Sequence, residues 1–110
     1  IIIMSNQELE YKVLKRLEKN PNITQRQLAK ELGVSLGKTH YLINSLIKVG
    51  WVKLENFKRS DNKIGYIYLL TPCGVLEKAK ITRDFLARKE TEYQQLKHEI
   101  RQLKSEVKQF

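Results

Sequence analysis

The chain has 110 residues, 41% of them hydrophobic, enough for one small core plus an extension. Its 21 Lys and Arg against 12 Asp and Glu leave a net charge of +9 and a pI near 9.7, which favours polyanionic partners, nucleic acid first. The single cysteine, Cys73, excludes an internal disulfide; zinc-ligand spacing, a secretory signal and a membrane-length apolar run are all missing, so a cytoplasmic protein with no metal or other cofactor and no membrane contact is expected.

Ile1, Ile2 and Ile3 precede Met4, the expected start, and read as residues foreign to the fold. Residues 7–20 predict a first helix, with Leu9, Val13 and Leu17, joined by Tyr11 and Leu14, at helical spacing. Glu8 near its start and Lys15, Arg16 and Lys19 near its end suit the helix dipole. Asn20-Pro21-Asn22 stops it, because the residue before proline avoids the helical region.

Residues 24–50 carry the most informative pattern. Thr24 and Gln27 form a capping box that starts a helix at Gln25, with Ile23 placed to staple onto its first turn. Leu28, Ala29 and Leu32 share one face of this helix; Gln25, Arg26, Lys30 and Glu31 take the other. Gly33 ends it without the Cβ penalty of the left-handed conformation, Val34 plugs the corner, and Ser35 caps the next helix. That second helix is expected to turn Thr39, Leu42, Ile43, Leu46 and Val49 inward. Gly37, Lys38, His40, Tyr41, Asn44 and Lys48 then face out. Two short helices joined by such a turn are the layout of a helix-turn-helix, whose second helix fits a DNA major groove.

After Gly50 the period becomes alternating. Residues 51–57 and 65–70 read as two strands around a basic tip, 58–63, that holds Lys58, Arg59 and Lys63. A hairpin in this position is the wing of a winged helix, and its cations are expected to neutralise phosphates or enter the minor groove.

Thr71-Pro72 opens a last helix, capped by an oxygen and started by proline. No proline or glycine follows Gly74, so the helix is expected to run almost to Phe110. Tyr93, Ile100 and Val107 occupy one heptad seam position, and Leu96, Leu103 and Phe110 the other, a pattern that favours a parallel two-stranded coiled coil. In a parallel pair Glu92 meets the partner's Lys97, and Glu99 the partner's Lys104. Leu76, Ile81, Phe85 and Leu86, with parts of the first helix, are expected to enlarge this dimer surface. Thr82 and Lys89 interrupt its apolar run. The fold expected is mainly α with a small β-hairpin wing: a winged helix-turn-helix over 5–71, followed by a long dimerisation helix over 72–110.

This order of elements resembles the MarR-type winged-helix transcriptional regulators over residues 7 to about 80. Leu70-Thr71-Pro72-Cys73-Gly74 is similar to the family's Leu-Thr-x-x-Gly after the wing, and Asp61-Asn62-Lys63 falls where many members carry Asp-x-Arg. Lys63 keeps the charge of that arginine but lacks its bidentate fork. Gly-Lys-Thr-His-Tyr-Leu in the reading helix is most similar to the subset associated with exopolysaccharide gene clusters. A single long heptad helix departs from the family's habit of dimerising through both terminal helical regions around a ligand crevice, so no effector pocket is evident.

The resulting expectation is a sequence-specific transcriptional regulator, with repression as its mode. A homodimer would bind a pseudo-palindromic double-stranded DNA site, with helix 36–49 in the major groove and the 58–63 wing on the backbone or minor groove. Gly37, His40, Tyr41 and Asn44 are the candidates for base edges. Gln25, Arg26, Ser35, Lys38 and Lys48 are the candidates for phosphates. Leu86 and the seam residues from Tyr93 to Phe110 are the candidates for dimerisation. An enzyme is disfavoured: there is no phosphate-cradling glycine loop, no paired carboxylates, and no nucleophile beside a base. The rival reading is a winged helix that contacts only proteins, its coiled coil joining a larger complex.

Overall fold

The computed structural model of the chain describes residues 6–58 and 64–109. The elements run α1 (Asn6–Lys19), α2 (Gln25–Leu32), α3 (Leu36–Lys48), β1 (Val52–Lys58), β2 (Ile64–Leu70) and α4 (Pro72–Val107). Arg59, Lys63 and Phe110 lie outside the described residues, and Lys58 is described only as the last backbone position of β1.

Local chemistry sets the boundaries. Thr24 accepts from the Gln27 N–H while the Gln27 side chain accepts from the Thr24 N–H, a complete capping box at the start of α2. Gly33, at φ 70°, ends α2 as the Gly33 N–H donates to the Lys30 carbonyl and the Val34 N–H to the Ala29 carbonyl. The end of α3 repeats the motif around Gly50, at φ 83°: the Gly50 N–H donates to the Ile47 carbonyl and the Trp51 N–H to the Leu46 carbonyl. Both are Schellman ends, in which the glycine's left-handed backbone lets two orphan carbonyls find donors. Trp51 is thereby taken into the end of α3, and β1 starts one residue later than expected.

One apolar core joins every element. Val13, Leu14 and Leu17 of α1, Leu28 of α2, Ile43 of α3, Val52 of β1 and Ile81 of α4 are all buried in it. β1 and β2 pair antiparallel with Val52 opposite Leu70 and Leu54 opposite Tyr68, so alternate residues such as Val52 and Tyr68 turn inward. The Tyr68 N–H also donates to the Pro21 carbonyl at 3.1 Å, which ties β2 to the loop after α1. Thr39 is fully buried, and its hydroxyl donates to the Ser35 carbonyl at 3.0 Å, so this polar group inside α3 costs little.

Two expectations about packing need correction. Val49 does not join the core but is 60% exposed, because α3 ends at Lys48 and the chain turns away at Gly50. Ile81 and Phe85 do not face outward as partner surface. Ile81 is buried against its own chain, and the Phe85 ring stacks on Tyr11 of α1 at 5.3 Å. Lys78 with Glu18 at 3.1 Å and Gln7 with Asp84 at 3.4 Å complete this α1–α4 contact.

The base of the wing is closed by a tight backbone contact. The Thr71 N–H donates to the Trp51 carbonyl, the Thr71 hydroxyl to the Gly50 carbonyl, and the Gly74 N–H to the Thr71 hydroxyl. A Cβ on Gly74 would overlap the Trp51 carbonyl oxygen, so glycine is required there by space rather than by dihedral angle. Gly74→Ala should therefore lower stability by about 1–3 kcal/mol, as overpacking against backbone does. Gly37→Ala, where an added Cβ meets nothing within 4 Å, should change it by less than about 1 kcal/mol and in the stabilising direction. Chemical denaturation of the two variants measures the contrast.

Candidate nucleic-acid interface

The exposed face of α3 is built from residues one turn apart. Gly37, His40, Tyr41, Asn44 and Lys48 all lie on the surface, while Thr39, Leu42, Ile43 and Leu46 hold the opposite face in the core. The helix has no acidic residue, and its N-terminus is capped by Ser35, which accepts from the Lys38 N–H at 3.0 Å. Arg26 is exposed on the first turn of α2. Gly37 leaves open space at the first turn of α3, which permits close approach of another molecule's backbone.

Several of these side chains are already engaged. The half-buried Lys38 lays its ammonium over the Tyr41 ring, 5.5 Å from the centroid, so the two present one cation–aromatic unit. The Gln25 amide is turned inward: its Nε2 donates to the Tyr68 hydroxyl at 3.2 Å, and its Oε1 lies 3.1 Å from His40 Nδ1. His40 Nε2 in turn lies 2.9 Å from Asn44 Nδ2. Three of the predicted contact residues thus form one chain that reaches back to β2.

The neighbouring cations differ in availability. Arg16 is paired with Glu31 at 3.1 Å, and Lys53 on β1 with Glu55 at 2.8 Å. The hydrogen bond and charge of Glu55 hold the Lys53 ammonium above the ordinary lysine range. Arg26, Lys30 and Lys48 are exposed on α2 and α3, and Lys38 lies over Tyr41; Arg59 and Lys63, expected at the wing tip, lie outside the described residues.

Two residues of this surface were missed in the sequence. Leu36 opens α3 as a large apolar side chain that is 46% exposed, beside Gly37. Its spacing matches the buried face, and only its place on the first turn, beyond the core, exposes it. The alternating pattern marks Tyr68 only as a strand residue and carries no sign that its hydroxyl reaches Gln25 of α2.

Three helices, an antiparallel hairpin pinned to the end of the third, and a long helix after it decide the architecture. The fold is a winged helix. A family model described as winged helix-turn-helix DNA-binding matches residues 6–53. No curated protein sequence matches the chain. Among solved structures it is similar to apo MarR from E. coli, with 28% identity, 67% of this chain and 53% of that one covered, and a TM-score of 0.54. It is also similar to Streptococcus pneumoniae FabT, solved in complex with DNA: 26% identity, 74% and 56% covered, TM-score 0.53. The Streptococcus mutans UA159 protein smu.1704 shares the fold, with a TM-score of 0.69 over 80% of this chain and 85% of that one at 15% identity.

The chain spans a little over half the length of MarR and FabT. The likeness to MarR agrees with the MarR-type resemblance read from the sequence, and these matches do not single out the exopolysaccharide-associated subset. No helix among the described residues is long and apolar enough to cross a membrane.

Proposed function

We propose that this winged helix is a sequence-specific transcriptional regulator that binds a pseudo-palindromic duplex as a homodimer. One observation carries the reading: α3 presents an acid-free stripe of Gly37, Tyr41, Asn44 and Lys48, firmly backed by the core, in a chain of net charge +9. The face offers amide, phenol and ammonium groups suited to base edges and phosphates. In the proposed complex α3 lies in the major groove, Asn44 reads a base, and Arg26, Ser35, Lys38 and Lys48 hold phosphates around it. The 58–63 tip follows the backbone or enters the adjacent minor groove. Repression by occupying the site ahead of polymerase is the simplest mode for a winged helix with one helical extension. Such a protein works in the cytoplasm.

The homodimer is supported by α4. This helix has 36 residues and would be about 54 Å long at 1.5 Å per residue. Of its described residues only Gly74 and Ile81 are buried. Leu86, Tyr93, Leu96, Ile100, Leu103 and Val107 are between 42 and 70% exposed at heptad spacing, a seam that nothing among the described residues covers. Traced backward, the same spacing reaches Lys89, Thr82, Ala79 and Val75, so the two faces of α4 are distinct: Ile81 and Phe85 toward α1, Val75 and Leu86 away.

The interruptions in this seam are eased locally. Lys89 pairs with Glu92 at 3.2 Å and lies over the Phe85 ring, and the Thr82 hydroxyl donates to the Lys78 carbonyl at 2.7 Å. A parallel second copy fits this surface, because it sets Glu92 beside the partner's Lys97 and Glu99 beside the partner's Lys104. Two such chains place two reading helices about a twofold axis, which calls for half-sites about one helical turn, or a multiple, apart.

Binding to random and promoter-region duplexes at several salt concentrations, with stoichiometry, tests the whole reading. Two chains per duplex and a roughly thousandfold preference for one site are expected; no binding at low salt would transfer the fold to protein contacts. Arg59→Ala and Lys63→Ala should each weaken binding on every sequence and reduce the salt slope by about 1. A slope untouched by both removes the wing from the interface. Asn44→Ala should cost about 1–3 kcal/mol on the preferred site and relax preference at one base pair, whereas equal loss on random DNA would assign it no reading role. Leu103→Lys should shift sedimentation toward monomer and reduce site affinity with it. An intact dimer would sink the seam.

A further inference from the structure

We propose that Tyr68, Gln25 and His40 form a positioning chain that sets the amide of Asn44 for base recognition, which makes a buried tyrosine of the wing strand a specificity-determining residue. The proposal rests on the reading of α3 as the DNA-reading helix.

With the Gln25 and Asn44 amides oriented as they are in the structure, one set of hydrogen-bond directions runs along the chain. Tyr68 is anchored: it is buried at 9% exposure, and its N–H is held by the Pro21 carbonyl. Gln25 Nε2 donates to its hydroxyl at 3.2 Å, which leaves the oxygen end of the amide, Oε1, facing His40 Nδ1 at 3.1 Å. An amide oxygen can only accept, so this orientation of the Gln25 amide calls for the imidazole proton of a neutral His40 on Nδ1. His40 Nε2 then carries a lone pair and accepts from Asn44 Nδ2 at 2.9 Å. One N–H of Asn44 is spent in this way. The other N–H and Oδ1 remain, and these are the donor and acceptor that N7 and N6–H of an adenine require.

Without the chain the Asn44 amide can turn over, since its two ends have nearly the same shape. A flipped amide offers the wrong group at each position. The chain thus replaces free rotation on an exposed side chain with one orientation, and it takes its reference point from the sheet rather than from α3 itself. It also joins the three parts of the proposed DNA surface, because Gln25 opens α2, His40 and Asn44 lie one turn apart on α3, and Tyr68 belongs to the wing. Gln25 and His40 act through Asn44 here.

The deciding experiment measures binding of the full chain to its preferred duplex and to all substitutions at the base pair that Asn44→Ala identifies, at several salt concentrations. Tyr68→Phe should lower the base preference at that pair by roughly three- to tenfold, a part of what one bidentate contact supplies, while salt slope and affinity for random DNA stay as in the parent. Gln25→Leu, which breaks the same chain from a half-exposed position, should give the same shift. Neither substitution should alter preference further in the Asn44→Ala background.

Uniform weakening on every sequence, an unchanged preference, or the same loss without Asn44 would overturn the chain alone. A parent protein with no preference at any base pair would overturn the DNA-reading function together with it. Imidazole nitrogen shifts in the free protein give an answer without DNA: a proton on Nδ1 of His40 is expected, and one on Nε2 alone would overturn the proposal.

Discussion

The architecture depends on the close backbone approach of Gly74 to the carbonyl of Trp51. Trp51 is the residue after the left-handed Gly50 at the end of α3, and Gly74 lies in the first turn of α4. Thr71 bridges the two, donating through its N–H to Trp51 and through its hydroxyl to Gly50 while capping α4. Three segments therefore meet in one joint: the end of α3, the base of the wing and the root of the long helix. No side chain fits between them, so the joint is short and has little freedom. The direction in which α4 leaves the domain is set relative to α3 here, and any partner gripping α4 also holds α3.

Beyond this joint α4 divides its surface between two tasks. Toward its own chain it buries Ile81, stacks Phe85 on Tyr11 and pairs Lys78 with Glu18. On the other side it carries apolar residues at heptad spacing from Val75 to Val107, nearly all exposed in the single chain. A helix extending far past its domain, over a longest dimension of 71 Å, gains little from propensity alone. A second copy along the seam would supply the missing burial. In the proposed dimer the joint at Gly74 then converts helix pairing into a fixed separation of two reading faces, which is the quantity a pseudo-palindrome encodes.

The polar chain from Tyr68 to Asn44 works at smaller scale. An exposed asparagine on an isolated helix turns freely, and each hydrogen bond it makes with DNA must offset the loss of that freedom. Fixing it through His40 and Gln25 to a buried tyrosine moves part of that cost into folding. The arrangement needs two helices and a strand in their final places, so it exists only in the complete domain.

Much was legible in the residues because it depends on short-range chemistry. The capping box at Thr24, the turn at Gly33 and the Ser35 and Thr71 caps involve partners a few positions apart, and the structure has them all. Helical spacing likewise separated the exposed face of α3 from its core face up to Leu46. It failed at Val49, in phase with the core but past the point where core remains.

Spacing does not say which side of α4 meets α1; Ile81, expected on a partner surface, is buried in its own chain, and Phe85 stacks on Tyr11. The sequence by itself determined the elements, the helix caps, the charge and the heptad spacing, because each depends on a residue and its near neighbours along the chain. Tertiary structure alone decided the Gly74–Trp51 approach, the two faces of α4 and the Tyr68–Gln25–His40–Asn44 chain. Each of these is a contact between residues far apart in sequence, whose meeting depends on how helices and strands pack.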